Sequence, residues 1–189
     1  MRIIICGVPR TGKTTLSKIL KNNLHHHNLI VSESIRNGFQ AMDEPNFANW
    51  GNKNSLQRKT LFPKFLFDFI KWNERFSGCD TILDLAIMNV ETITKLFAGD
   101  SLIICLGFCG KDKKDIFEIV RRYEKEDDYT KNMSDEQLDR LWGGIVAEDK
   151  KNFEFCKAHD ILYFDTSKKR DLVLKSIINL CINKETDLG

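Results

Sequence analysis

Little in this sequence is extreme, and each shortage excludes something. The 189 residues include 3 prolines, which leaves no room for a proline-rich linker. Lys+Arg is 29 and Asp+Glu is 27, for a formal charge of +2. With no excess of one sign, composition makes no case for a nucleic-acid or anionic-membrane partner. No apolar run approaches the roughly 18–20 residues of a membrane span. The longest, Ser101 to Cys109, fits a buried strand. The N-terminal Met1-Arg2-Ile3-Ile4-Ile5-Cys6 is too short for the apolar region of a signal peptide, and a glycine loop follows at once. The sequence therefore predicts a cytoplasmic protein. At 42% hydrophobic and 30% charged residues it is an ordinary globular chain, long enough for one compact domain and short for two.

Cysteine is present but unpatterned. The six stand at 6, 79, 105, 109, 156 and 181, no C-x-x-C occurs, and most lie in apolar segments. They are expected to be reduced packing residues rather than zinc ligands or disulfides. His25-His26-His27 is expected to end the first helix, where imidazoles suit the exposed carbonyls; metal binding is a second reading of that run.

Residues 2–6 form a continuous apolar run, as expected of a strand buried on both faces of a parallel sheet. A helix is predicted from Lys13 to about His26, with Leu16, Ile19, Leu20 and Leu24 on one face. Leu29 to Val31 is a second strand, and Ser34 can cap a helix over about 35–42. Residues 43–54 are turn-rich. A helical stretch over about 55–76 carries an aromatic stripe that suits core, a hinged flap or a dimer face. Thr81 to Leu85 is a third strand, 89–98 a helix, and Ser101 to Phe108 a fourth strand. Helices over about 112–126, with Ile116, Ile119, Val120 and Tyr123 inward, and over about 135–158 flank a charged excursion. Asp160 to Phe164 is a fifth strand, and a last helix covers about 169–182. Strands alternating with helices imply a three-layer α/β/α fold with a five-stranded parallel sheet. Ligands of such sheets bind at the carboxyl ends of the strands.

One motif stands where that rule requires it. Gly7-Val8-Pro9-Arg10-Thr11-Gly12-Lys13-Thr14-Thr15 fits G-x-x-x-x-G-K-[ST], with an apolar strand before it and an amphipathic helix after it. Gly7 and Gly12 permit backbone angles and close approaches that a Cβ would block. Loop amides can then point inward around a phosphate, and the following helix adds free N–H groups and its positive dipole end. Lys13 would place an ammonium on the β/γ-phosphates, Thr14 a hydroxyl on Mg²⁺, and Thr15 a donor near the α-phosphate. These features predict a nucleoside triphosphate with Mg²⁺.

Other candidates follow strands too. Asp84 ends the third strand, where it could hold a Mg²⁺ water, orient an attacking group, or merely cap the next helix. Glu33 would face the same crevice, to touch substrate hydroxyls or the metal shell or simply to sit in solvent. Arg36 could grip a substrate phosphate or carboxylate, or form a surface ion pair. Arg121 and Arg122, with Arg140 as a third candidate, could be brought down by a closing flap onto a transferring phosphoryl group. Asp165-Thr166-Ser167 after the fifth strand could edge a purine, cap the last helix, or do both.

Taken together, these residues resemble the nucleoside-monophosphate-kinase group of P-loop proteins, the adenylate-kinase-like and shikimate-kinase-like small kinases. The loop is similar to that group's G-x-P-G-x-G-K-[ST]-T, Pro9 included, and departs at Arg10, where the family usually has glycine. Ser34-Ile35-Arg36 is similar in place to the segment whose arginine holds the acceptor's phosphate, and Leu83-Asp84 to the strand-three aspartate. The family's following G-F-P-R is here Leu85-Ala86-Ile87-Met88. Arg121 and Arg122 match the pair leading into the lid, and Tyr163 to Ser167 with Arg170 resembles the segment beside the adenine. The resemblance implies a single domain over 1–189, with a substrate flap at about 35–76 and a lid at about 110–140. It implies a kinase that moves the γ-phosphoryl of ATP to a small-molecule acceptor, a nucleotide, nucleoside or similar metabolite, with a homo-oligomer possible. The alternative is a P-loop ATPase or a nucleotide-binding regulatory protein. The N-K-x-D motif of a guanine switch and the L-S-G-G signature of a cassette ATPase are both absent.

Overall fold

The computed structural model describes residues 1–42, 55–86, 88–97, 99–109, 111–122 and 129–186, apart from the side chains of Arg58 and Tyr129. The turn-rich segment 43–54, Tyr123 and the first part of the charged excursion, to residue 128, lie outside the described residues.

Five strands, β1 (Arg2–Gly7), β2 (His27–Val31), β3 (Asp80–Asp84), β4 (Ser101–Gly107) and β5 (Leu162–Asp165), form one sheet in the order β2-β3-β1-β4-β5. Every pairing is parallel. β1 is central, and Ile3, Ile4, Ile5 and Cys6 are completely buried, which accounts for its unbroken apolar run. Seven α-helices cover the sheet among the described residues: α1 (Lys13–Asn23), α2 (Ser32–Met42), α3 (Phe62–Ser77), α4 (Val90–Phe97), α5 (Lys113–Arg122), α6 (Asp135–Ala158) and α7 (Arg170–Thr186). A π-helical turn, Gln57–Leu61, leads into α3, and a 3₁₀ turn, Tyr129–Asn132, precedes α6.

Alternation along β1 sends its side chains to two cores. Ile3 and Ile5 pack with Leu16 and Leu20 of α1 and Leu174, Ile177 and Cys181 of α7. Ile4 and Cys6 face the other way, onto Phe62, Leu66 and Ile70 of α3, Ile93 of α4 and Cys156 of α6. A third cluster joins Val8 and Phe108, just past the ends of β1 and β4, to Ile116 and Val120 of α5 and Trp142 of α6. Each large side chain removed from water in this way contributes about 1.5–3 kcal/mol.

The structure differs from the sequence reading at several points. α1 stops at Asn23, and the amide of Leu24 closes its last turn on Leu20. The histidines therefore do not end it; His27 opens β2, opposite Asp80 of β3. Ile19 is on the outer face of α1 while Leu16, Leu20 and Leu24 are buried. α2 begins at Ser32, before Ser34, and the Ser32 hydroxyl accepts from the Ala86 amide at 3.2 Å, tying the end of β2 to the loop after β3. The aromatic stripe splits in two: Phe62, Leu66 and Ile70 are core, whereas Phe65, Phe69, Trp72 and Phe76 are exposed, with Phe76 at 81%. Phe65 stacks on Phe39 of α2 at 4.8 Å between ring centroids, and Trp72 on Phe76 at 5.6 Å. α6 matches the helix expected over about 135–158 and is opened by a reciprocal cap in which the Gln137 amide donates to Ser134 Oγ and the Ser134 amide to Gln137 Oε1.

Gly7 and Gly144 make opposite predictions. Gly7 has φ +118°, and a Cβ there would lie 1.9 Å from the Leu106 carbonyl oxygen. Gly7→Ala is expected to lose well over the roughly 1–3 kcal/mol that the backbone angle alone costs. Gly144 sits in a helix with open space around it, so Gly144→Ala is expected to gain about 0.5–1 kcal/mol. Urea unfolding midpoints of the two variants check both.

Candidate functional site

The carboxyl ends of β1, β2 and β3 open into a cleft of about 490 Å³, lined by Pro9, Arg10, Gly12, Lys13, Thr14, Thr15, Val31, Glu33, Asp84, Ala86 and Arg170. The cleft owes its floor to strand order. Because β3 lies directly beside β1, with Asp84 in register with Ile5, the carboxylate comes up against the first turn of α1. Thr14 Oγ1 donates to Asp84 Oδ2 at 2.7 Å across 70 residues of sequence.

The loop between β1 and α1 is held in its curve by its own contacts. Gly7 and Gly12 both have positive φ, as does Arg10 at 69°. Arg10 thus occupies a left-handed conformation that costs a non-glycine residue energy. Thr11 is completely buried, and its hydroxyl donates to the Val8 carbonyl at 2.9 Å. Lys13 Nζ donates to the same oxygen at 2.7 Å. Val8 O is therefore the inner anchor of the loop. Lys13 is 7% exposed. Burial holds its pKa below the usual lysine value, opposed chiefly by the negative charge of Asp84.

Three cationic side chains (Arg10, Lys13, Arg170) and two carboxylates (Glu33, Asp84) line the cleft. With the N-terminus of α1 pointing into it, the cleft suits an anion with several negative oxygens. At its floor the Thr14 hydroxyl and the buried Asp84 carboxylate are hard oxygen donors already in contact, a pair that fits Mg²⁺.

The other sequence candidates take up positions around this centre. Glu33 lines the cleft on the β2 side, and its Oε1 is 3.7 Å from Arg36 Nη2. Arg36 also donates to Asn37 Oδ1 at 2.9 Å and is not part of the lining. Gly7 and Thr11 shape the loop from behind. Arg121 and Arg122 are exposed at the end of α5, outside the lining, with the Arg121 guanidinium 4.8 Å over the Phe117 ring. Arg140, on α6, lines a separate shallow depression with Asp135, Glu136 and Asp139. Asp165, Thr166 and Ser167 also lie outside the lining. Thr166 is buried, its amide and hydroxyl both donating to the Gly107 carbonyl, and Asp165 Oδ1 accepts from the Ser167 amide. The residue that reaches the cleft from this side is Arg170, at the start of α7, whose chain passes 3.4 Å from where a Gly12 Cβ would stand. Val31 and Ala86 complete the wall and carry no polar side chain that a sequence reading could single out.

No protein-family model matches the chain, and no curated protein matches it. Among solved structures it is similar to a gluconokinase from Sinorhizobium meliloti 1021, with TM-score 0.63 and 10% sequence identity over 99% of this chain and 94% of that one. It is also similar to a deoxyadenosine kinase from M. mycoides holding dCMP and a flexible dCDP, with TM-score 0.49 and 12% identity over 100% of both chains. The first likeness shows that the chain shares the α/β fold of that gluconokinase, with its five-stranded parallel sheet.

The Thr14–Asp84 contact is a hydrogen bond to a buried charge, worth about 1.5–3 kcal/mol. Thr14→Ala and Asp84→Asn are expected to be non-additive in stability by about 1 kcal/mol or more, while Thr14→Ser keeps most of the coupling. A double-mutant cycle in the nucleotide-free protein measures it; strict additivity would remove the contact from the site.

Proposed function

We propose that this protein is an ATP-dependent phosphotransferase that moves the γ-phosphoryl group to a small-molecule acceptor, a nucleotide, nucleoside or similar metabolite. Shared fold alone does not carry that reading, because one fold serves many chemistries. What carries it is a single constellation: a buried lysine ammonium, a strand-end carboxylate and a helix-opening hydroxyl meeting at the floor of a cationic cleft.

In this reading the loop amides and the first turn of α1 bind the β- and γ-phosphates, and Lys13 lies against them as a desolvated positive charge. Desolvation strengthens that charge's attraction for phosphate oxygens. Thr14 and Asp84 would hold Mg²⁺, which when bound neutralises phosphate charge. An acceptor oxygen attacks the γ-phosphorus, the bond to the β-phosphate oxygen breaks, and ADP leaves. Glu33, at the mouth of the cleft, orients acceptor hydroxyls, and Arg36 pairs with an acidic group on the acceptor. Arg170 steadies the phosphates from the β5 side, and Asp165, Thr166 and Ser167 edge the base. Arg121 and Arg122, on a lid around 110–140, reach the transferring group when the lid closes.

ADP release from MgATP, measured with a panel of nucleoside monophosphates, nucleosides and small metabolites, tests the proposal. An acceptor-dependent burst is expected, and Lys13→Ala is expected to lower it by roughly 100-fold or more while leaving the fold intact. Slow hydrolysis indifferent to every acceptor would replace the kinase by an ATPase. At least one of Arg121→Ala and Arg122→Ala is expected to cut kcat by roughly 100-fold with ATP affinity nearly unchanged, whereas Arg170→Ala is expected to weaken ATP binding itself. If both lid variants keep full kcat, the lid assignment fails.

A further inference from the structure

The end of the sheet opposite the cleft gathers a second set of donor atoms. His27 opens β2, Asp80 opens β3 as its register partner, and Glu185 lies in the last turn of α7. His27 is 1% exposed. Its Nε2 is 2.9 Å from the Met1 carbonyl oxygen and 3.8 Å from Glu185 Oε2. One ligand atom from each of His27, Asp80 and Glu185 lies within 4.8 Å of the other two. Asp80 also pairs with the amino group of Met1. Two atoms of the cluster are buried without a hydrogen-bond partner: His27 Nδ1 and Glu185 Oε2. A buried carboxylate oxygen with no donor is costly, and this one faces an imidazole rather than water.

We propose that His27, Asp80 and Glu185, with the Met1 carbonyl oxygen, form a binding site for a divalent first-row metal ion of the zinc class. One imidazole nitrogen with carboxylate and carbonyl oxygens is a donor set such ions accept, and the two carboxylates balance the charge once the ion displaces the Met1 ammonium from Asp80. Tetrahedral donors at 2.0–2.1 Å from zinc stand about 3.3 Å apart, so His27 Nε2 and Glu185 Oε2 have to close by about 0.5 Å, the Met1 carbonyl oxygen to move back from Nε2 by about 0.4 Å, and no pair of side-chain donors to close by more than about 1.5 Å. Coordination at Nε2 puts the ring hydrogen on Nδ1 and converts the Met1 carbonyl from an acceptor of that hydrogen into a ligand. The ion would clamp the starts of three strands to the last turn of α7. It would lie a whole strand length, roughly 16 Å for the five residues of β2, from the phosphate cleft. The site is therefore a fastening for the fold, separate from phosphoryl transfer.

Isothermal titration of the full chain with ZnCl₂ after chelator treatment, paired with thermal unfolding, tests this without any activity readout. One ion per chain is expected, with a rise of several degrees in Tm. Glu185→Gln is expected to weaken binding by about 10-fold or more and to erase the Tm gain. Replacing the exposed His25 and His26 by Ala together is expected to leave both unchanged. His27→Asn should abolish binding; if it does not fold, Asp80→Asn serves in its place. Absence of stoichiometric binding, unaltered binding in Glu185→Gln, or loss of binding in the His25/His26 variant would overturn the proposal.

Discussion

A lysine ammonium taken out of water has to be compensated, and much of the cleft's construction follows from that at Lys13. Its hydrogen bond to Val8 O fixes the inner turn of the loop, and Thr11 doubles the same anchor. Its charge needs a carboxylate nearby, which Asp84 supplies from a different strand. The loop can curl around the ammonium only because Gly7 presses against Leu106 O, where any side chain would collide. The pieces are mutually dependent: the charge needs the sheet, and the loop needs the charge.

Strand order is what joins them. With β3 rather than β2 beside β1, Asp84 stands at hydrogen-bond distance from Thr14. Alternating strands and helices made a parallel sheet legible in the sequence, and the glycine-rich motif picked out the loop between β1 and α1 that lines the cleft. The motif also carries its own geometry, since glycines, lysine and threonine have one arrangement that suits them all. Nothing in the local pattern orders the strands, because side-by-side pairing is decided by crossovers and core packing far along the chain.

The remaining differences share a cause: burial of polar residues and exposure of apolar ones, which composition cannot announce. His27 looked like a helix terminus because imidazoles suit exposed carbonyls, yet it starts a strand and is almost wholly buried. The 62–76 stripe has two angular components on one helix: Phe62, Leu66 and Ile70 are buried against the sheet, while Phe65, Phe69, Trp72 and Phe76 are exposed. Arg170 was visible as a residue near the fifth strand's end, but its approach to the cleft depends on α7 packing against α1 beside Gly12. By contrast, Thr166 spends its amide and hydroxyl on the Gly107 carbonyl at the end of β4, and Asp165 its carboxylate on the Ser167 amide.

Burial also sorts the six thiols chemically. Cys6, Cys105, Cys156 and Cys181 are enclosed in the two cores, Cys79 is partly covered, and Cys109 is exposed just beyond the end of β4. Burial raises the Cys181 thiol to about 12; contact with Cys105 and burial raise Cys156, and at Cys105 the lowering effect of Cys156 is outweighed by contact with Cys6 and burial. Thiolate is the reacting form in alkylation, so the enclosed sulfurs are silent toward a maleimide at neutral pH. A fluorophore added to the folded chain would thus favour Cys109, an optical reporter at the carboxyl edge of the sheet whose one competitor is the partly covered Cys79.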